Sequence, residues 1–150
     1  MDIKAEFVKQ YRRDAILVGM ACDICPVILL TQAALETGWG RFMTSNNLFG
    51  IKSVPWLPGS IEAVTQEWEG HWQTITAEFQ VFDSPLQAML AYVNLIRNTP
   101  RYAMAWKLRH DPVRYFRALQ MAGYATDPQY ADKLISIYRM FPDWLVGDFP

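Results

Sequence analysis

Residues 27–35 contain no charged side chain, and the first charge beyond them is Glu36. The run has the apolar character of a helix, Pro26 suits its first turn, and Gly38 suits its end. Such a helix delivers one carboxylate to its C-terminal end, with Trp39 between Gly38 and Gly40 just beyond. A carboxyl group set among apolar and aromatic surface loses hydration. That disfavours its charged form and raises its pKa. An acid of this kind keeps its proton near neutral pH and can give it to a departing oxygen.

Around this helix the chain reads as one compact unit, residues 1–150, without repeat, low-complexity tract or linker. Ile3, Phe7, Tyr11 and Ala15 recur at helical spacing and predict a first helix over 3–20. Ser84-Pro85, Asp111-Pro112 and Asp127-Pro128 each offer an N-cap followed by proline at the first helical position. They predict helices over 85–97, 112–121 and 128–140, with a shorter one over 101–109 and Gly123 closing the 112–121 helix. The middle differs. Residues 40–60 are rich in turn formers and read as a long loop. Two β-prone runs, 61–68 and 74–82, are joined by 69–73, where Gly70 marks a hairpin turn. The tail over 142–150 reads as irregular. The expected fold class is α+β, mostly α: a helical body, a small β-hairpin lobe and a cleft between them. A cleft of that kind suits an extended polymer.

Composition narrows the function classes. A hydrophobic fraction of 51% argues for a globular core and against disorder. A net charge of -1, with no Lys/Arg cluster, argues against nucleic-acid binding. Residues 15–30 form the most apolar stretch, but Asp23 and Pro26 interrupt it, so no membrane span is expected. The N-terminal residues lack a basic n-region, and no signal peptide is expected. The protein is thus expected to be made in the cytoplasm and delivered by another route. Cys22 and Cys25 follow a helix rather than the strand that a redox Cys-x-x-Cys requires, and His71 and His110 show no ligand spacing. The two thiols read as structural, with a disulfide as the alternative in an oxidising compartment. No metal or cofactor is implied. Most of the 14% aromatic residues suit a core, and a few suit a groove that stacks sugars.

Glycoside hydrolysis uses two carboxyl groups flanking the scissile bond. Glu36 is the best acid. Glu62, Glu67, Glu69 and Glu78 in the hairpin are candidate partners. Alternation puts Thr65 and Glu67 on one face and Val64, Gln66 and Trp68 on the other, while Glu69 abuts the turn. Spacing favours none of the four.

Ordered motifs carry a resemblance. Ala33-Ala34-Leu35-Glu36-Thr37-Gly38-Trp39-Gly40 precedes Asn47-Leu48-Phe49-Gly50-Ile51-Lys52. Then come Thr65-Gln66-Glu67-Trp68, Phe79-Gln80-Val81-Phe82-Asp83-Ser84, Asn98-Thr99-Pro100-Arg101-Tyr102, Gly123-Tyr124-Ala125-Thr126-Asp127-Pro128 and Tyr130-Ala131. Together, over residues 26–140, they resemble glycoside hydrolase family 73, the bacterial peptidoglycan N-acetylglucosaminidases. The resemblance implies a lysozyme-like fold and cleavage of the β-1,4 bond after N-acetylglucosamine in the glycan strand of peptidoglycan.

Position by position, it implies that Glu36 is the general acid, Glu67 the second catalytic group and Tyr124 a tyrosine at the cleft. Asn47, Phe49, Tyr102 and Tyr130 match motif residues implied to bind substrate near it. Phe49 and Tyr102 also suit packing of loop and helices, Tyr124 suits site and core equally, and Asn47 suits a loop organiser. Gln80 stands where the family has arginine, which removes any ion pair made there, and Trp68 stands where it has tyrosine. Two mechanisms stay open. Glu67 activates a water in an inverting reaction, or the substrate's own N-acetyl oxygen attacks the anomeric carbon. The rival readings are a muramidase or lytic transglycosylase on the same scaffold, and a non-catalytic glycan-binding module. The expected setting is the periplasm or cell wall, reached as an injected antibacterial effector or a phage lysin. For an injected toxin, an immunity protein occupying the cleft is expected.

Overall fold

A computed structural model describes residues 2–55 and 57–141. The predicted tail over 142–150 lies outside them. The elements in chain order are α1 (Ile3–Cys22), α2 (Pro26–Thr37), β1 (Ser60–Trp68), β2 (Trp72–Gln80), α3 (Pro85–Asn98), a 3₁₀ turn (Pro100–Tyr102), α4 (Ala103–Lys107), α5 (Pro112–Met121) and α6 (Tyr130–Tyr138). The fold is α+β and mostly helical, as expected.

Helix α2 runs through the core, packed against α1 and α6. Ile28, Leu29, Leu30, Ala33 and Ala34 are each 0% exposed. The polar residues buried with them have partners. Thr31 Oγ1 donates to the Val27 carbonyl at 2.6 Å and Thr37 Oγ1 to that of Ala33 at 2.7 Å. The helix ends because Gly38 adopts φ 57°, a left-handed conformation that side chains resist. The Trp39 N–H then bonds back to the Ala34 carbonyl at 2.9 Å. This cap fixes where Glu36, in the last turn, emerges.

The proline-marked helix starts fall at Pro26, Pro85 and Pro112, with Ser84 and Asp111 capping the latter two through their side chains. Asp127-Pro128 behaves differently. Asp127 Oδ1 accepts from the Gln129 N–H at 2.8 Å in a local turn, so α6 starts later, at Tyr130. The expected helix over 101–109 divides into the 3₁₀ turn and α4.

The hairpin pairs Ser60 with Gln80 through to Trp68 with Trp72. Its turn is residues 69–71, shorter than the predicted link, because Trp68 and Trp72 pair across it with ring centroids 5.3 Å apart. β2 also ends earlier than predicted, since the Phe82 N–H leaves the sheet to bond the Ser45 carbonyl at 3.0 Å. The 40–60 loop docks on β2. Ser53 N–H bonds Glu78 O and Gln80 N–H bonds Ile51 O, each at 2.9 Å. The Gln80 side chain, 1% exposed, donates to the carbonyls of Pro58 and Gly59 at 2.9 Å and accepts from the Val54 N–H at 3.3 Å. In place of an ion pair, it knits the loop to the strand. At the other end, the Trp68 N–H bonds Thr126 Oγ1 of the α5–α6 connection at 2.9 Å. Cys22 and Cys25 are half-buried free thiols at the α1–α2 corner. Among the described residues no helix is long and apolar enough to cross a membrane.

Candidate active site

A groove of about 720 Å³ lies between the hairpin and the helical body, and Glu36, Glu67 and Tyr124 all line it. Glu36 sits on the helical side. Its side chain is exposed along the edge that faces the groove, while protein surrounds the carboxyl elsewhere. The sequence reading put this group in an apolar recess. The structure puts it at the wall of an open groove.

Desolvation nevertheless dominates and pushes the Glu36 pKa up to about 7, against a hydrogen bond from Tyr130 that favours the charged form. Water at the groove edge tempers that rise, and a saccharide covering the edge would remove the water. The 40–60 loop passes close by. Gly50 has φ +62°, which favours glycine, and a Cβ there would crowd Glu36 Oε2 at 3.1 Å.

Beneath Glu36 runs a buried chain of hydrogen bonds. Tyr92 donates to Gln32 Oε1, so Gln32 presents Nε2 to the Tyr130 hydroxyl at 3.1 Å. The Tyr130 proton is then directed at Glu36 Oε1, also at 3.1 Å. The Tyr92 and Tyr115 hydroxyls are 2.6 Å apart. Since the Tyr92 proton goes to Gln32, Tyr115 is the donor in that pair. Every donor in the series Tyr115, Tyr92, Gln32, Tyr130 therefore points towards Glu36. Burial pushes the four hydroxyls of Tyr92, Tyr115, Tyr124 and Tyr130 upwards, which keeps them protonated.

The opposite wall is β1. Its half-buried residues Ile61, Ala63, Thr65 and Glu67 alternate along the strand and share the inner face. Glu67 Oε1 accepts from Lys52 Nζ at 2.8 Å, and its side chain is 29% exposed. Glu36 and Glu67 thus belong to one groove, on different walls.

The other predicted residues fall into two groups. Tyr124 is half-buried in the groove wall, with its ring 5.8 Å from those of Tyr102 and Tyr130. Tyr130 is 4% exposed and reaches the site through its hydroxyl alone. Tyr102 and Phe49 are 3% and 2% exposed, and Phe49 stacks on Tyr92 at 4.4 Å. Both are core residues that show an edge to the groove. Asn47 uses its amide inside the loop, donating to the carbonyls of Ile51 and Gln80 at 2.8 and 3.0 Å and accepting from the Ile51 N–H at 3.0 Å.

Sequence reasoning missed Gln32, Lys52, Phe42 and Arg101. Gln32 left a signal, as the one amide in an apolar run, because a buried amide demands partners. Phe42, 75% exposed on the groove, left none. Among the described residues no three of His, Cys, Asp and Glu gather as a metal set.

Residues 12–142 match the model of the glucosaminidase family, described as mannosyl-glycoprotein endo-β-N-acetylglucosaminidase. The peptidoglycan hydrolase FlgJ of Vibrio parahaemolyticus is 37% identical over 145 residues, covering 91% of this chain and 47% of the relative. The chain thus spans about half the length of that relative. A crystal structure of a peptidoglycan hydrolase mutant from Sphingomonas sp. A1 superposes with TM-score 0.82 at 38% identity, covering 89% of this chain and 92% of that one. The glycoside hydrolase domain of Salmonella typhimurium FlgJ superposes with TM-score 0.75 at 34% identity, covering 96% and 91%.

Proposed function

Because the chain belongs to the glucosaminidase family of glycoside hydrolases, family 73, we propose that its groove binds a glycan strand of bacterial peptidoglycan and hydrolyses the β-1,4 bond after N-acetylglucosamine. The observation that carries this reading is the raised pKa of Glu36 in the wall of a groove whose other wall holds Glu67. In the reaction, protonated Glu36 gives its proton to the glycosidic oxygen as the bond to the anomeric carbon breaks. Water attacks that carbon from the opposite face, and Glu67 takes the water proton. The products are a new reducing end on N-acetylglucosamine and a free hydroxyl on the next sugar. Tyr130, aimed at Glu36, stabilises the carboxylate that forms.

One observation favours a second route. Lys52 already occupies Oε1 of Glu67, which leaves Oε2 alone to take a proton from water. The substrate's N-acetyl oxygen would then attack the anomeric carbon, and Tyr124 in the groove wall would help hold the intermediate.

Glu36→Gln tests the reading. The variant should fold and fail to clear a suspension of purified cell walls, whereas turnover near that of wild type would end the proposal. Mass spectrometry of the fragments separates the rivals. A reducing N-acetylglucosamine supports it, and a reducing or anhydro muramic end assigns a muramidase or lytic transglycosylase. Absence of cleavage with retained binding assigns a glycan-binding module.

For the wider setting we propose residues 1–150 as one catalytic domain acting in the periplasm or cell wall, as an injected antibacterial effector or a phage lysin. In the effector setting an immunity protein would seat in the groove. Co-purification with the product of the adjacent gene tests that partner.

A further inference from the structure

Four charged residues line the groove among those described: Glu36, Lys52, Glu67 and Arg101. Lys52 and Glu67 neutralise each other at 2.8 Å. Arg101 has no carboxylate within ion-pair distance among the described residues. Its guanidinium is held instead by a neutral group. Nη2 donates to the Tyr102 hydroxyl at 2.7 Å, and Cζ lies 4.8 Å from the Tyr102 ring centroid. Tyr102 is itself 3% exposed, so the ring is a fixed support. Arg101 is an exposed residue whose guanidinium is placed in advance and has further N–H donors unused by Tyr102. With Glu36 carrying the proton that it must donate, the groove has a net charge of about one positive unit, located at Arg101.

A polymer of N-acetylglucosamine alone offers that charge neutral oxygens and no counter-charge. A planar guanidinium fork matches a carboxylate, with two parallel N–H···O bonds. We propose that Arg101 binds a carboxylate carried by the glycan strand, so that the groove selects an acidic polysaccharide over a neutral one. The proposal rests on the peptidoglycan reading above and names the substituent the groove recognises. The carboxylate has two sources in such a polymer: the stem peptide, or the lactyl group of muramic acid where the peptide has been removed.

The experiment measures kcat and KM on soluble peptidoglycan fragments in two preparations, one bearing stem peptides and one stripped by an amidase. Each is used before and after carbodiimide-driven amidation of its carboxylates. Wild type should lose about tenfold in kcat/KM, mainly through KM, on amidation of the preparation whose carboxylate Arg101 meets. Arg101→Gln should show that loss on untreated substrate and no further loss on amidation. The preparation that responds identifies the source. Equal wild-type rates on untreated and amidated forms of both preparations would overturn the proposal, and so would an Arg101→Gln variant that keeps the wild-type sensitivity. The wild-type comparison needs no variant, so the proposal stays open to refutation even if Arg101→Gln fails to fold. If wild type cleaved neither preparation, the hydrolase reading itself would fall, and this proposal with it.

Discussion

Tyr130 donates its hydroxyl proton to Glu36 Oε1 at 3.1 Å while its oxygen accepts from Gln32 Nε2 at the same distance. The bond favours the charged carboxylate and opposes the desolvation that raises its pKa. Glu36 therefore combines a raised affinity for its proton with a ready acceptor arrangement once the proton has gone. These are the two halves of a general acid's task.

Removing the hydroxyl separates the halves. In Tyr130→Phe the force that lowers the Glu36 pKa is lost, so the alkaline limb of the kcat/KM profile, near pH 7 in wild type, should move to higher pH. The rate on the plateau should fall by about tenfold, because the carboxylate formed in the transition state loses a charge-assisted hydrogen bond. A pH–rate series on wild type and variant checks both, and an alkaline limb that moves down would contradict the account.

Glu36 also links stability to pH. Its folded-state pKa, about 7, lies above the ordinary carboxylate value. The contribution is therefore fully present below the unfolded pKa and is lost as pH rises through the folded one. Wild type should be less stable at pH 8 than Glu36→Gln, and the two should converge near pH 4. Thermal melts of both proteins across that range check the sign, and a glutamine variant that melts lower at pH 8 would refute it. The exchange would also cost activity by a factor on the order of 10³.

Glu67→Gln distinguishes the two mechanisms. If Glu67 activates water, the variant should lose about a hundredfold or more in kcat. If the N-acetyl group attacks, the loss should be only a few-fold, and fragments bearing a free amine in place of the N-acetyl group should resist cleavage instead. Lys52→Met is the companion. It frees Oε1 of Glu67 from its 2.8 Å bond and should raise the rate only if Glu67 is the base.

Gln80→Leu tests the knot between loop and hairpin. The substitution keeps the volume but leaves the Pro58 and Gly59 carbonyls and the Val54 N–H without their partner. Pro58 and Gly59 are exposed, so water can take over part of what their carbonyls lose, and the cost falls short of that for fully buried groups. A fall of about 1 kcal/mol in urea unfolding is expected. An unchanged midpoint would show that the loop carries itself.

The helical frame was legible because its punctuation is local. Pro26, Pro85 and Pro112 start helices at the positions where their sequences say so, and Gly38 and Gly123 end them with positive φ. Asp127-Pro128 misled because an aspartate can close a turn on its own backbone as readily as it caps a helix. The hairpin's length escaped because a tryptophan pair across the turn outweighed the turn-like character of 69–73. Glu36 was legible from its apolar approach. The groove lining was not, since Arg101 comes to line one groove with Glu36 only through the packing of elements far apart in sequence. Gln32 stood in plain view, but its two partners, Tyr92 and Tyr130, come from α3 and α6, and no local pattern names them.

One wall of the groove has no core of its own. Two strands by themselves are marginal in water, and this pair is clasped at its base by Gln80 and at its tip by the Trp68–Thr126 bond. Most of its other bonds go to the 40–60 loop, and no residue of 60–80 belongs to the buried hydrophobic cluster on which the helices pack. Warming should therefore release the hairpin while the helical body stays intact, so thermal inactivation precedes melting, and the enzyme falls silent before it unfolds.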